Sequence, residues 1–377
     1  MSKDYNEQLN GIAKSCLGCK SAPCKKACPI STDIPNIIKM FQEGECLEAG
    51  EKLFENNPLS LICSLVCPFE NQCMGSCVRG IRGTSVDFPK IENYIMKKYL
   101  EEKNFKISGK NGKNITIVGA GPAGISASFY LIEKGYDVIL YDNHDKIGGM
   151  LRYGIPDFRL SKDNLDLIEE KLLETGINFI GNKYFTKEDI EFLEQNKEID
   201  AVLMCTGAWL PKKIELNGSD RQNVVYGIDF LKENINLGRG KKVVVIGAGN
   251  VAMDVARTAK RQGNNVLVAY RRTLEEAPAT KAEINDAKED GVEFLTQVTP
   301  LEITGDGIIL KCNLDEKKIY KKCDYILLAV SQQPEFTPID KEKFFYAGDL
   351  LTGPETIVKA SFTGKEAAQQ IEQYLTR

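Results

Sequence analysis

The sequence predicts an α/β protein in which a helical, cysteine-dense N-terminal module precedes two Rossmann-like βαβ units. Three observations predict it. Nine of the 12 cysteines in 377 residues lie between Cys16 and Cys77, a local content of about 15%, above the roughly 8–10% that marks a cysteine-held scaffold. From Asn114 onward, short apolar strand runs alternate with helical periodicity. The order strand, glycine turn, helix, strand then occurs twice, with its first glycines at Gly119 and Gly247, so the chain carries an internal repeat of a nucleotide-binding unit.

The elements follow in chain order. Asp33 before Ile34-Pro35 reads as an N-cap with proline in the first turn, and Ile34, Ile37, Ile38 and Phe41 then recur at helical spacing. A second helix is expected from Pro89 to about Glu102, with Ile91, Tyr94, Ile95 and Tyr99 on one side. The polar run Ser108–Asn114 reads as a linker. Ile115–Val118 is a buried-strand run, Ala123–Lys134 a helix and Val138–Tyr141 the next strand; Val243–Ile246, a helix to about Gln262 and Val266–Tyr270 repeat the pattern. Gly238-Arg239-Gly240 and the stretch from Pro334 to Pro338 are the expected crossings between domains.

Composition bounds the function. Charged residues make up 27% and the formal charge is −4, a near-balance that offers no footprint for nucleic acid or for an anionic membrane surface. No apolar run approaches the ~18 residues that span a bilayer, and Met1–Asn10 is polar without a signal-peptide core. The expected location is the cytoplasm, where clustered cysteines point to metal or catalysis rather than to disulfides.

Gly119-Ala120-Gly121-Pro122-Ala123-Gly124 fits G-x-G-x-x-G directly after a strand. The first glycine permits the turn, the second admits a pyrophosphate to the backbone, and the third allows close helix–strand packing. The helix N-terminus offers unpaired N–H groups to phosphate. Asp142, at the end of the next strand, can accept hydrogen bonds from an unphosphorylated ribose, as in FAD. Gly247-Ala248-Gly249-Asn250-Val251-Ala252 is the G-x-G-x-x-A form, and here Arg271 and Arg272 stand where the first unit has Asp142. Guanidinium groups bind a 2′-phosphate that a carboxylate would repel, which predicts NADPH over NADH. A flavin and a nicotinamide in one chain imply hydride transfer, which needs stacking and orientation rather than an acid–base pair. The single histidine, His144, is expected on the surface without a role, and no catalytic side chain is assigned.

The cysteines fall into Cys16-x2-Cys19-x4-Cys24-x3-Cys28-Pro29 and Cys63-x3-Cys67-Pro68-x4-Cys73-x3-Cys77. Close spacing ending in Cys-Pro marks iron–sulfur ligation, and in ferredoxin-type runs the cysteine before proline serves the other cluster. Two runs of four predict two [4Fe-4S] clusters with exchanged ligands and leave Cys46 alone. Zinc is the competing reading, though its sites usually show paired C-x2-C elements, and only Cys16 and Cys19 form one.

Taken together these motifs resemble the NADPH-dependent glutamate synthase small (β-type) subunit family and its relatives, the N-terminal half of dihydropyrimidine dehydrogenase and the large subunit of electron-bifurcating ferredoxin:NADP oxidoreductase. The resemblance rests also on Asn57-Pro58-Leu59 before Ile62-Cys63, on Gly148-Gly149-x-Leu151-x-Tyr153-Gly154-Ile155-Pro156-x-x-Arg159-Leu160, on Arg271-Arg272 running to Pro278, and on Ala347-Gly348-Asp349 with Thr352-Gly353-Pro354. It implies disulfide-reductase-like domains nested in one another: an iron–sulfur domain at 1–108, an FAD domain at 114–225 and 335–377, and an NADPH domain at 226–334. It implies that Asp349, beside Gly348, contacts the flavin ribitol and that Gly148, Gly149 and Arg159 belong to the flavin-binding segment. It implies that Cys16, Cys19, Cys24 and Cys77 hold one cluster and Cys28, Cys67 and Cys73 three corners of the other, with Glu92 or Cys63 as the fourth ligand. The stretch 305–333 is shorter than in most relatives, and Val330-Ser331-Gln332 replaces Ile-Gly-Gln.

The expected function is an oxidoreductase subunit that passes electrons from NADPH through FAD and the clusters to a larger catalytic or electron-accepting partner in a hetero-oligomer. A bifurcating subunit working with a second flavoprotein is the alternative, and a zinc-binding redox sensor the remote one. With only Cys205 near the flavin segment, disulfide reduction is not expected.

Overall fold

This computed structural model describes residues 3–106 and 109–377; Ser108, where the predicted linker begins and the expected first domain ends, lies outside the described residues. Two compact units are present, one made of 1–152, 157–208 and 334–377, the other of 153–156 and 209–333.

The first unit opens with α1 (Lys3–Lys14), α2 (Pro23–Ala27), α3 (Ile34–Glu43), α4 (Cys46–Asn56), α5 (Ser60–Val66) and α6 (Phe88–Glu102). The four-residue spacing of Ile91 and Ile95, with Met96 and Leu100, gives α6 a face that is fully buried against α4 and α5. Asp33 occupies the N-cap of α3 but makes no capping hydrogen bond; its carboxylate instead meets Lys25 Nζ at 3.0 Å. The cationic partner takes the carboxylate away from the backbone amides, which corrects the sequence expectation of a cap.

The same unit continues with β1 (Asn114–Val118), α7 (Pro122–Glu133), β2 (Asp137–Tyr141), α8 (Met150–Tyr153), α9 (Lys162–Glu174), β3 (Asn178–Ile180), α10 (Lys187–Gln195) and β4 (Ala201–Met204), and is completed by β15 (Phe344–Tyr346), α14 (Asp349–Thr352) and α15 (Ile357–Leu375). Its strands form one parallel sheet in the order β15-β4-β1-β2-β3. The order reverses beside β1, so a crevice opens at the carboxyl ends of β1 and β4, where open α/β sheets bind ligands. Phe54 of α4 packs edge-on against Phe129 of α7, with centroids 4.9 Å apart, and Phe105 closes the cluster. This aromatic contact fixes the helical module on the sheet's helix layer.

The second unit holds β5 (Leu210–Pro211), β6 (Val224–Tyr226), α11 (Gly227–Lys232), β7 (Lys242–Ile246), α12 (Asn250–Arg261), β8 (Asn265–Ala269), α13 (Lys281–Glu289), β9 (Glu293–Leu295), β10 (Val298–Ile303), β11 (Gly307–Cys312), β12 (Lys318–Lys322), β13 (Tyr325–Leu328) and β14 (Gln332–Gln333). Its parallel sheet runs β6-β13-β7-β8-β9; β13-β7-β8-β9 repeats the winding of β4-β1-β2-β3, so the repeat seen in the sequence extends to four strands, while the edge strand β6 precedes its unit in the chain where β15 follows. The segment flagged as short carries an antiparallel meander, β10-β11-β12, and β5 pairs with β14. The chain enters this unit at Trp209 and leaves it at Gln333. Gly238–Gly240 is therefore inside it and not a crossing; Gly240 N donates to Gly263 O at 3.0 Å. No helix among the described residues is long and apolar enough to cross a membrane.

Candidate functional site

The first glycine turn is built for close approach. Gly119 has φ 111°, and a Cβ there would lie 2.3 Å from the Cys205 carbonyl oxygen that follows β4; a Cβ on Gly124 would lie 1.9 Å from Gly119 O. Gly121 is different: the nearest atom to a Cβ there is 4.0 Å away. Its bareness does nothing for protein packing and leaves the mouth of α7 open. No side chain caps α7, so its first amides remain available to an anion.

Other predicted residues gather around this turn. Gly148 N donates to Ala120 O at 2.8 Å, and a Cβ on Gly149 would be 2.9 Å from Gly121 Cα. A Cβ on Gly348 would lie 3.1 Å from Ala123 Cβ. Asp349 begins α14 beside it, half-buried, its carboxyl pushed up to about 7 by burial despite a hydrogen bond from Glu355 N. A half-buried acid with one weak donor is an acceptor suited to ligand hydroxyls. Asp142 is buried, accepting from Ala120 N at 2.7 Å and from His144 N at 2.9 Å. The His144 ring packs Nδ1 at 2.8 Å from the same carboxylate, which corrects its placement as an idle surface residue. Arg159 lies half-buried beyond α8.

The second turn repeats the design. A Cβ on Gly247 would be 2.2 Å from Ala329 O, whereas nothing lies within 4 Å of one on Gly249. Asn250 and Val251 open α12, which no side chain caps; Asn250 Oδ1 accepts from Thr280 N at 3.1 Å. Arg271 and Arg272 follow β8 and are exposed. Their carbonyls are taken by Asn313 Nδ2 and Gln297 N, which anchors the backbone and leaves both guanidinium groups outside any ion pair among the described residues.

In the helical module, Cys16, Cys19, Cys24, Cys73 and Cys77 line one pocket, walled by Ile34, Ile38 and Phe88. Burial, with the charges of Cys77 and Cys16 nearby, pushes the Cys24 thiol up. Cys67 is held well above its usual value by a hydrogen bond with Cys63 and by burial; Cys73 is pushed up to about 12 by burial, with Glu92 and Cys28 close by. Glu92, fully enclosed, is pushed up to about 8 although Ser60 Oγ donates to it. Buried thiols and a buried acid that resist ionisation when left to themselves are a donor set awaiting a cationic centre. They fit iron, and both Cys63 and Glu92 stand within this second group. No three described His, Cys, Asp or Glu side chains converge on a single-ion position; a cubane instead takes one ligand per iron. All twelve cysteines are free thiols. Cys205 is buried, donates to Gly119 O at 3.2 Å and is raised by desolvation, so it packs the turn and is no redox nucleophile.

Asn57 escaped the sequence reading as a site residue. It is buried, with Nδ2 3.2 Å from Cys63 Sγ, and Oδ1 accepts from Leu59 N at 3.1 Å and from Ser361 Oγ of α15 at 2.7 Å. Ile30, Cys63 and Val358 pack together beside it. The Asn57-Pro58-Leu59 turn was the visible signal; its partner 304 residues away was not.

Comparison with known proteins divides the chain between two family models. Residues 2–104 match the family model for dihydropyrimidine dehydrogenase domain II, 4Fe-4S cluster, and 113–346 match pyridine nucleotide-disulphide oxidoreductase. The chain is 30% identical to the glutamate synthase [NADPH] small chain of Azospirillum brasilense, over 98% of this chain and 89% of that one. It is 32% identical to the NAD-dependent dihydropyrimidine dehydrogenase subunit PreT of Escherichia coli K12, over 96% and 93%. Among solved structures, FprA of Mycobacterium tuberculosis with NADPH superposes with a TM-score of 0.59 at 17% identity, covering 70% of this chain and 84% of that one. Thioredoxin reductase of T. acidophilum gives 0.56 at 18%, covering 70% and 100%; both show the fold. The chain is an oxidoreductase that belongs to the pyridine nucleotide-disulphide oxidoreductase family, in the branch of glutamate synthase small chains and PreT subunits that carries an N-terminal 4Fe-4S domain.

Proposed function

We propose that this chain is the electron-input subunit of a larger enzyme, taking reducing equivalents from NADPH and delivering them through FAD and two [4Fe-4S] clusters to a glutamate-synthase-like partner subunit in the cytoplasm. The observation that carries the reading is that the open glycine cradle at Gly121 and the buried cysteine groups belong to one compact unit, tied together by the hydrogen bond from Ser361 to Asn57. FAD supplies the exchange between the two-electron chemistry of a nicotinamide and the one-electron chemistry of iron–sulfur centres.

The chain's own residues do the binding. The α7 amides and Gly121 receive the pyrophosphate, Asp142 takes ribose hydroxyls, and Asp349, with the Gly148-Gly149 turn and Arg159, holds the remainder of the flavin. Gly247, Gly249, Asn250 and Val251 receive the nicotinamide dinucleotide, and the free guanidinium groups of Arg271 and Arg272 select the 2′-phosphate. Cys16, Cys19, Cys24 and Cys77 serve one cluster; Cys28, Cys67 and Cys73 serve the other with Glu92, and Cys63 stands as the rival fourth ligand. The domain boundaries proposed for these roles are 1–108, 114–208 with 334–377, and 209–333 in place of a break at 225/226, because β6 (Val224–Tyr226) is a strand of the second sheet.

Anaerobic reconstitution tests this. The expected product contains one FAD and about eight iron and eight sulfide per chain, and NADPH bleaches the flavin and then the cluster absorption. A zinc-bearing, colourless module, or clusters that stay oxidised under excess NADPH, refutes it. A second reading, an NAD-dependent subunit of a pyrimidine-reducing enzyme, is favoured by the PreT relatives; a kcat/KM preference for NADH would select it.

A further inference from the structure

We infer that the rim of the first cysteine group is a docking face for an acidic electron-accepting protein, an inference that rests on the electron-input reading above. The charge pattern carries it. Residues 14–32 hold four lysines and no Asp or Glu, and 71–86 hold two arginines and no Asp or Glu, in a chain with 53 acidic residues and a net charge of −4. These two stretches face each other across the pocket that Cys16, Cys24 and Cys77 line, and Arg79 donates to Ser15 O at 3.2 Å, joining them.

Not all of these charges are spent internally. Lys25 is paired with Asp33, but Lys14, Lys20, Lys26 and Arg82 are exposed and form no ion pair among the described residues. The same two stretches carry exposed apolar side chains: Ile81 is 79% and Leu17 63% exposed. Exposed apolar side chains beside predominantly basic charge, with Asp33 neutralising only Lys25, are the anatomy of a transient electron-transfer interface, and basic charge steers an acidic partner to it. The adjacent cysteines place the electron source under the contact. The exchange balances as NADPH + 2 carrier(oxidised) → NADP⁺ + H⁺ + 2 carrier(reduced), one electron per docking event and no bond made to the carrier.

Binding, rather than turnover, is the test. The oxidised holoprotein is titrated with cytochrome c and with its succinylated form, the same haem with the surface charge reversed, by sedimentation or calorimetry. Wild type is expected to prefer the succinylated form at ~50 mM salt and to lose the preference by ~500 mM. The variant K20E/R82E is expected to bind the succinylated form about tenfold more weakly, and I81S severalfold more weakly, with iron content and NADPH bleaching of the flavin unchanged in both. Equal binding of the two forms, equal binding by K20E/R82E, or self-association of the holoprotein that I81S abolishes would overturn the acidic-partner assignment. Loss of flavin bleaching by wild type would instead overturn the electron-input reading.

Discussion

Replacing Asn57 by alanine probes the joint between the iron–sulfur module and the first nucleotide fold. The carboxamide oxygen accepts from Ser361 Oγ at 2.7 Å and Leu59 N at 3.1 Å, and all three groups are buried. Truncation leaves two donors without an acceptor, at about 1–3 kcal/mol each. The Ser361 hydroxyl can rotate toward a carbonyl one turn back in α15, whereas the Leu59 amide has no such freedom, so about 2–3 kcal/mol is expected in total. For a unit of this size each kcal/mol moves Tm by roughly 2–4 °C, giving a fall of about 4–12 °C. S361A alone removes one donor and should cost about 1 kcal/mol. Anaerobic melts at matched iron content, with N57A, S361A and the double variant as a cycle, should give a coupling of about 0.5–1.5 kcal/mol. Strict additivity, or a Tm fall below about 2 °C for N57A, would show that the hydrogen bond does not join the two parts.

Other outcomes follow from the same geometry. G121A should fold normally, since nothing lies near its added methyl, yet retain little flavin; G124A, with its Cβ 1.9 Å from Gly119 O, should lose soluble expression, and comparable melting of the two would refute the division. R271E/R272E should raise KM for NADPH by about 10–100-fold and barely touch NADH, because each exposed guanidinium contributes about 1 kcal/mol to a phosphate; steady-state kinetics with both nucleotides checks it. Asp349 carries a folded-state pKa of about 7 against an ordinary 3.8, so its contribution to stability is fully present below pH ~4 and is lost as pH rises through ~7. In flavin-free protein D349N should therefore exceed wild type by about 1–2 kcal/mol at pH ~8, discounted from the full shift because the carboxyl keeps some solvent access, and the gap should close toward pH ~4 in urea titrations.

The chemistry-bearing turns were legible because short-range sterics dictate them. Gly119 and Gly247 each need a positive φ and a bare Cα beside a returning strand, and both appear as glycine at the end of an apolar run. The cysteine spacing likewise declared a donor set before any fold was known. What stayed hidden depends on distant partners. Asp33 sits at the expected cap position, yet Lys25 decides where its carboxylate goes. His144 looks like a surface residue until β2 delivers Asp142 beneath it. The β10-β11-β12 meander alternates weakly, with charged residues through β12, and periodicity alone could not separate it from a loop. The crossing at Trp209 is flanked only by the single residues Gly207 and Pro211, and the denser Gly238-Arg239-Gly240 turn is the stronger local breaker signal although it lies inside the second unit.

The first parallel sheet is finished by a strand that the ribosome makes only after the whole second unit. β4 ends at Met204, but its outer neighbour β15 begins at Phe344, and α15, which packs along α7, comes later still. The contiguous span 209–333 can complete its own sheet during synthesis, while the earlier-made half waits with an open edge and with Asn57 lacking Ser361. The link from Cys63 through Asn57 to Ser361 is complete only once the C-terminal helix has arrived, and a nascent chain stalled before residue 344 would leave that sheet edge open to proteolysis.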